Sequence, residues 1–242
     1  MWGLALLAGY VFITVGFGHG FPFFQSTVLN VGSPLSGSFK SWSNPVHYGI
    51  ALLIAISGAA LSWVFHRVVE LLTRVTKPNS RPLKLTASVA LVLGMVLVFF
   101  LYSPWGQSSQ GLGLDSIRRF FLGHPAIYEP FSKTLATAWS IGIGLKGGEY
   151  TPLLFMGTSL GTLFIPYAEL GAGVFAAIGF TAVFSHATKC PLASACLGIG
   201  LGGVGSLPFV ILAAFTSFWL GGRESLYLIP SAHRWRIRLY FL

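Results

Sequence analysis

The chain has 242 residues, of which 54% are hydrophobic and only 9% are charged, and its formal net charge is +9. An ordinary soluble domain carries about 25% charged residues. With a mean hydropathy of +0.74, the composition excludes a soluble enzyme, a disordered chain and a nucleic-acid-binding protein. The basic residues lie between apolar runs, where loops that face an anionic leaflet would place them.

Two long apolar runs in residues 1–74 predict the first two helices, at 4–18 and at 45–72. A membrane-spanning helix needs about 20 apolar residues, so the second run is long enough to cross a bilayer with some tilt. The first run has no basic residues before it and no cleavage site after it, which indicates a membrane segment rather than a secretory signal. A chain that starts inside the bilayer also suggests that a preceding part of the protein is missing.

Residues 83–143 are predicted to form connecting helices. An apolar run at 83–102 is followed by a short amphipathic piece at 114–122 and by a further helix at 129–143. A charged and proline-bearing loop precedes the first of these, and a polar, glycine-bearing loop follows it. The three segments differ in length, which is typical of a bundle in which only some helices cross the whole bilayer.

The apolar segments of the second half are shorter, and glycine and proline interrupt them. Segments of roughly twelve to sixteen residues are too short to span a bilayer upright, so we expect broken or re-entrant helices that line a cavity. These segments lie at 152–165, 171–186, 191–202 and 207–220. A basic tail at 228–242 closes the chain and is predicted to face the cytoplasm.

A glycine-rich break precedes the first of these short helices, and Pro152 is predicted to mark the helix start. The backbone N–H groups before it converge on one point and carry the positive end of the helix dipole. Partial charges of this kind bind an anion without holding it too tightly for conduction. The candidate anion-binding residues at the break are Gly147, Gly148, Glu149, Tyr150 and Thr151. We expect the Glu149 side chain to pair with Lys146 or to point to water, and the Tyr150 ring to form an apolar wall.

The stretch Gly148-Glu149-Tyr150-Thr151-Pro152 resembles the G-x-F-x-P anion-binding motif of the CLC family of chloride channels and transporters. The wider string from Lys146 is more similar to the fluoride-transporting branch. Strings at 111–117, at 179–193 and at 221–227 resemble further family segments in the same order. In the chloride branch a tyrosine at the position of Tyr227 donates its hydroxyl to the anion, which adds Tyr227 to the candidate site.

The resemblance implies an all-α, multi-pass protein of a bacterial inner or plasma membrane that pairs as a homodimer. It implies transport of chloride or fluoride, by a channel or by a proton-coupled antiporter, with no cofactor and no enzymatic activity. The chain matches only the C-terminal half of the family, and the segment with the gating glutamate is absent. Gly200 stands where the family usually has a glutamate. Lys189 and Cys190 replace small or polar residues near a position that resembles a structural sodium site in the fluoride branch.

Two other interpretations stay open. In the first, the chain is a truncated or split polypeptide, or a membrane scaffold, that transports nothing by itself. Alternatively, Gly157 to Gly161 fits G-x-S-x-G, and Ser159 with His186 would form an intramembrane serine hydrolase. That motif needs a strand–turn–helix context, whereas the same glycines also fit a G-x-x-x-G packing face. The histidines show no metal-ligand spacing, and we expect Cys190 and Cys196 to be reduced, buried thiols.

Overall fold

The computed structural model describes residues 42–75, 89, 94, 111–124, 126–142 and 148–221. In these ranges seven α-helices can be followed from end to end, together with two short 3-10 helices, and no strand forms. The α-helices are α1 (Pro45–Val75), α2 (Leu114–Phe121), α3 (Glu129–Gly142), α4 (Tyr150–Thr162), α5 (Ala172–Thr188), α6 (Pro191–Gly202) and α7 (Leu207–Leu220). The 3-10 helices are Ile165–Tyr167 and Val204–Ser206.

The predicted helices of the second half are present and differ from the prediction mainly at their ends. The helices α6 and α7 have the predicted bounds, whereas α4 starts earlier and ends earlier than expected. The predicted segment continues to Ile165, but α4 ends at Thr162, and Leu163 and Phe164 form a turn that leads into the Ile165–Tyr167 3-10 helix. The predicted helix at 4–18 and the basic tail lie outside the described residues, and so does the predicted helix at 83–102 apart from residues 89 and 94, which are helical.

The helix α1 is 31 residues long and carries few charges. By length and composition, Pro45–Arg74 is the one span in the described residues that could cross a membrane as a single helix. Its inward face, with Ile54 fully buried, packs in the core, while Leu53 on the opposite face is 56% exposed. Near its C-terminal end Glu70 pairs with Arg67 and Arg74 at 3.2 and 2.5 Å. These exposed charges mark the end at which the apolar character of α1 stops.

The helix α5 lies at the centre of the bundle and packs against α1, α4, α6 and α7. Its sequence is apolar all round, which is typical of a helix that is buried on every side. Two reciprocal hydrogen bonds join it to α7. Ser185 Oγ donates to the Ala214 carbonyl at 2.7 Å, and Ser217 Oγ donates to the Ala182 carbonyl at 2.5 Å. Each helix therefore donates one buried side-chain hydrogen bond to the backbone of the other.

The helices α4 and α5 form an antiparallel hairpin that packs through glycine. A Cβ on Gly157 or Gly161 would collide with the backbone of α5, and a Cβ on Gly179 would collide with the backbone of α4. The prediction that Gly157 and Gly161 form a packing face is therefore confirmed. Because the hairpin is antiparallel, the N-terminal end of α4 lies level with the C-terminal end of α5.

A buried ionic contact connects α2 to α3. The Glu129 side chain is fully buried, accepts from Arg119 at 2.7 Å and accepts from the Ala126 N–H at 3.1 Å. Lys133, one turn further along α3, donates to the Gly111 carbonyl at 2.7 Å and lies over the ring of Phe155 in α4. A buried charge requires such partners, and these contacts place α2 and α3 against one side of α4.

Both cysteines are free, but the expectation that they are buried is wrong. Cys190 is the residue before α6, and Cys196 lies on the outer face of this helix, where Leu192 is 58% exposed. The opposite face of α6, with Ser194 and Gly198, packs into the bundle. The apolar sequence of α6 does not distinguish the two faces, because a membrane protein exposes apolar residues to lipid.

Candidate anion site

The start of α4 holds most of the predicted site in one helical turn. The helix begins at Tyr150 with Glu149 as its N-cap, so it starts two residues before the predicted Pro152. Pro152 is the third helical residue, and the first bond that closes a helical turn runs from the Leu153 N–H to the Glu149 carbonyl at 3.1 Å. Proline fits this position because an N–H in the first turn has no partner within the helix.

The N-terminal turn of α4 offers backbone N–H groups rather than a side-chain cap. The Glu149 side chain makes no capping hydrogen bond, and the N–H groups of Tyr150 and Thr151 precede the first helical bond. They carry the positive end of the helix dipole. Gly148 is exposed, and a Cβ built on it would meet no atom of the described residues within 4 Å. This helix end is therefore open on the side of Gly148.

An aromatic wall stands beside this turn. The ring of Tyr150 meets Phe180 and Phe184 of α5 edge-on, with centroid distances of 5.9 and 5.7 Å. The two phenylalanine rings stack on each other at 5.2 Å. The prediction that Tyr150 forms part of an apolar wall is confirmed. Phe180 and Phe184 were not predicted as site residues, although their i, i+4 spacing places both rings on one face of α5.

Apolar side chains fix the position of the turn in the bundle. Leu153 and Met156 of α4 are fully buried and belong to one cluster with Phe65 of α1 and with Val183 and Ala187 of α5. The first turn of α4 is thus attached to two long helices and cannot shift without opening this cluster.

The structure brings together five of the predicted residues, Gly148 to Pro152. Gly147, Lys146 and Tyr227 lie outside the described residues. Within the described ranges, no group of three or more histidine, cysteine or acidic residues is arranged so that it could hold a metal ion.

The residues of the hydrolase hypothesis have separate partners. Ser159 is fully buried in α4, and its hydroxyl donates to the Phe155 carbonyl of the same helix at 2.7 Å. The Nδ1 atom of His186 instead shares a hydrogen bond of 2.9 Å with the hydroxyl of Ser62 in α1. A nucleophilic serine needs its base within hydrogen-bond reach and an exposed oxygen. Ser159 has neither, so this hypothesis has no support from the geometry.

Lys189 is one of the departures from the family pattern. It is the C-cap residue of α5, and its backbone has the left-handed conformation, with φ of 59°. Its Nζ atom is buried against Gly221 at the C-terminal end of α7. An ammonium at this place faces the negative end of a helix dipole, which is a favourable position for a cation. Gly200, which stands where the family usually has a glutamate, is a half-buried residue of α6.

The described helices are mostly short and apolar and surround a buried central helix, and the start of α4 lies beside an aromatic wall. These features define an all-α membrane protein of the broken-helix type. A family model described as voltage gated chloride channel matches residues 4–222. The chain belongs to this family, the CLC family, whose members carry anions across membranes.

Individual relatives agree with this assignment. The chain is 37% identical over 117 residues to a chloride/fluoride channel protein of Pseudomonas syringae pv. tomato, and the match covers 48% of this chain and 26% of that protein. It is 27% identical over 167 residues to a ClcB-like chloride channel protein of Ralstonia nicotianae, covering 64% and 37% of the two chains.

A solved structure shares the fold. The crystal structure of a CLC-type fluoride/proton antiporter superposes with a TM-score of 0.68 at 27% identity, covering 76% of this chain and 46% of the antiporter. The matched parts therefore span less than half the length of each of these three proteins.

Proposed function

We propose that the protein carries chloride or fluoride across a bacterial inner membrane, and that the anion binds at the N-terminal turn of α4. The observation that carries this proposal is the open end of α4, where Gly148 leaves space beside backbone N–H groups. The family assignment supports anions as the cargo, and a chloride/fluoride channel protein is among the relatives.

In this proposal, partial charges of the backbone bind the anion in an environment that excludes water. The N–H groups of Tyr150 and Thr151 replace part of the hydration shell of the ion. The rings of Tyr150, Phe180 and Phe184 exclude water on one side, which strengthens these weak interactions. Because these N–H groups carry only partial charges, they hold the anion weakly enough for it to leave. Gly147 and Tyr227 complete the proposed site, Gly147 with its backbone N–H and Tyr227 with its hydroxyl.

We further infer that the protein is multi-pass and forms a homodimer. The exposed apolar side chains of α1 and α6, such as Leu53 and Leu192, support a surface covered by lipid or by a second copy. Chemical cross-linking of the detergent-solubilised chain tests the dimer: a species of twice the monomer mass is expected, and only monomer at every protein concentration would overturn it.

Anion efflux from liposomes tests the proposed function. Vesicles that contain the 242-residue chain are loaded with chloride or fluoride, and an ion-selective electrode records release. We expect selective release, reduced about tenfold or more by Gly148→Leu, because the side chain fills the space in front of the N–H groups.

Gly171→Leu is the matched control. Gly171 is also an exposed glycine at a helix N-terminus, that of α5, and a Cβ there also meets no atom within 4 Å in the part of the chain that the structure describes. Equal loss of efflux in both variants would mean that Gly148 has no special place in the pathway. Efflux unchanged by Gly148→Leu would exclude the start of α4 as the anion site.

A second candidate function is that of a partner polypeptide that completes a pathway only together with another segment. The observation that favours it is that the matched region covers 46% of the fluoride/proton antiporter. In that case, vesicles with this chain alone release no anion, although the chain is folded. Efflux then returns on co-reconstitution with the unmatched part of the Pseudomonas syringae relative. Efflux from this chain alone would overturn the second candidate.

A further inference from the structure

One face of α1 is exposed along most of its length and changes from apolar to basic toward the C-terminal end. At 3.6 residues per turn, six of its side chains fall within about 60° of one another around the helix axis. We call this face the outer stripe; it consists of Leu52, Ile56, Trp63, Arg67, Glu70 and Arg74. Leu52, Ile56 and Trp63 are each at least 40% exposed, and both arginines are exposed as well. The outer stripe therefore combines a long apolar part with a charged end.

The apolar part of α1 has about the length of a bilayer core. From Val46, which is exposed, to Trp63 the helix rises about 26 Å at 1.5 Å per residue. The hydrocarbon core of a bilayer is about 30 Å thick, and tryptophan is enriched where this core ends. The Arg67 guanidinium lies over the Trp63 ring, 5.5 Å from its centre. This length fits a hydrocarbon layer that ends at Trp63, with Arg67 and Arg74 in the headgroup layer beyond it.

The charged end of the outer stripe is basic overall. Glu70 is the one acidic residue of α1, and it pairs with Arg67 at 3.2 Å and with Arg74 at 2.5 Å. One carboxylate balances only one of the two guanidinium charges, so the three side chains together keep a positive charge. The Arg74 side chain is 74% exposed. The side chains of a helix tilt toward its N-terminus, so both arginines lean toward the apolar part of the stripe.

The sequence on the two sides of α1 differs in charge. After α1, positions 76–88 contain Lys77, Arg81 and Lys84 and no acidic residue. Before α1, Lys40 is the only charged residue at positions 30–44. Basic residues close to the end of a membrane span favour the cytoplasmic side, where the leaflet carries anionic lipids. This difference favours a cytoplasmic position for the C-terminal end of α1.

A lipid fits the outer stripe better than a second copy of the chain does. In a two-fold symmetric pair that shares one membrane orientation, a stripe that meets itself brings the same arginines together, and like charges repel. A phospholipid with an anionic headgroup matches both parts of the stripe, because its acyl chains suit Leu52 and Ile56 and its phosphate suits Arg67 and Arg74.

We propose that the outer stripe of α1 binds an anionic phospholipid of the cytoplasmic leaflet, with the phosphate at Arg67 and Arg74 and an acyl chain along the apolar part. This inference rests on the proposed location in a bacterial inner membrane, but it does not depend on the anion site at the start of α4. It assigns the exposed face of α1 to one class of ligand and gives the orientation of this helix in the membrane.

Native mass spectrometry of the full chain in a neutral detergent tests the proposal. Titration with phosphatidylglycerol, which is anionic, or with phosphatidylcholine, which has no net charge, gives a dissociation constant for each lipid. We expect tighter binding of phosphatidylglycerol. Arg67→Gln and Arg74→Gln should each weaken it about fivefold, as expected for one basic residue at a lipid surface. Glu70→Gln should strengthen it, because the acidic group between the two arginines is removed.

Arg118→Gln is the matched control, because it also removes one exposed arginine. Arg118 belongs to α2, which ends close to the start of α5, since a Cβ on Gly123 would contact Ala172. The C-terminal half of α1 instead packs beside the end of α5. This variant changes the net charge as Arg74→Gln does and should bind phosphatidylglycerol like the unmodified chain. Thermal unfolding of each variant shows whether it is folded.

Several outcomes would overturn the lipid proposal. Equal binding of the two lipids by the unmodified chain would do so, and so would equal weakening by Arg118→Gln and Arg74→Gln, which would reflect net charge alone. Inorganic phosphate that binds as tightly as phosphatidylglycerol, with the same dependence on Arg74, would replace the lipid by a soluble anion. A chain that prefers phosphatidylglycerol in this way but releases no anion from vesicles supports the lipid surface and overturns only the proposed transport.

Discussion

The middle of α4 and its N-terminal end are both built on glycine, but the surroundings of these glycines are opposite. Gly157 and Gly161 touch the backbone of α5 so closely that no side chain fits. Gly148, before the first turn, faces open space. The same residue type therefore brings two helices together at one place and leaves backbone N–H groups accessible at another. Packing explains the first use, and the proposed anion site depends on the second.

The largest effect is expected from Gly161→Ala. Its Cβ would collide with the Phe175 carbonyl, so the two helix backbones must separate. Overpacking of this kind costs about 3 kcal/mol, the upper part of the usual range, because backbone rather than a flexible side chain must move. Unfolding in mixed detergent micelles measures it. Gly148→Ala is the control and should change stability by less than about 0.5 kcal/mol. Equal losses of stability in the two variants would contradict the distinction between a close-packed Gly161 and an open Gly148.

Glu129→Gln should give the next largest loss, about 2 kcal/mol, because it removes the charge that Arg119 faces while leaving a buried polar group. Glu70→Gln, in the exposed pairs of α1, should leave the unfolding midpoint close to that of the unmodified chain, because solvent screens these charges. The same micelle titration compares them. If Glu70→Gln lowers the stability as much as Glu129→Gln does, the buried contact between α2 and α3 contributes no more to stability than an exposed ion pair.

Ser185→Ala and Ser217→Ala should each cost about 1 kcal/mol, the typical value for a hydrogen bond between membrane helices. Ser159→Ala should have a smaller effect, since its hydroxyl bonds within its own helix. A double variant of Ser185 and Ser217 that loses no more than either single one would show that the two bonds act as one unit.

The smallest effect is expected from Tyr150→Phe. The ring contacts with Phe180 and Phe184 are retained, so stability should stay within about 0.5 kcal/mol. Tyr150→Ala removes these contacts and should cost about 1 kcal/mol or more. Thermal unfolding followed by tryptophan fluorescence measures both. A loss of stability in the phenylalanine variant that equals the loss in the alanine variant would mean that the hydroxyl, and not the ring, is the important group.

Local signals in the sequence were sufficient for the helices of the second half. Proline and glycine mark the bounds of α6 and α7, and the pattern around Pro152 predicts the start of α4 to within two residues. The G-x-x-x-G spacing also predicts a packing face. It does not identify Gly179 as the partner, because that contact depends on the antiparallel arrangement of α4 and α5.

The contact between α1 and α5 through Ser62 and His186 could not be predicted from the sequence. Ser62 and His186 are 124 positions apart, and nothing local indicates that they share a hydrogen bond. The exposure of Cys196 was mispredicted for a related reason. In an apolar helix, the side that faces lipid and the side that faces protein have similar composition, so only the packing of neighbours separates them.

The reciprocal bonds between α5 and α7 have a mechanical consequence. A slide of one helix along the other by a single residue would break both the Ser185 and the Ser217 hydrogen bond in the same step. The helices α5 and α7 therefore move together as one rigid unit with a fixed register. The chain that leaves α7 after Gly221, on its way to Tyr227, starts from a point that α5 holds in place. A displacement of the described helices relative to one another would then have to occur outside this pair.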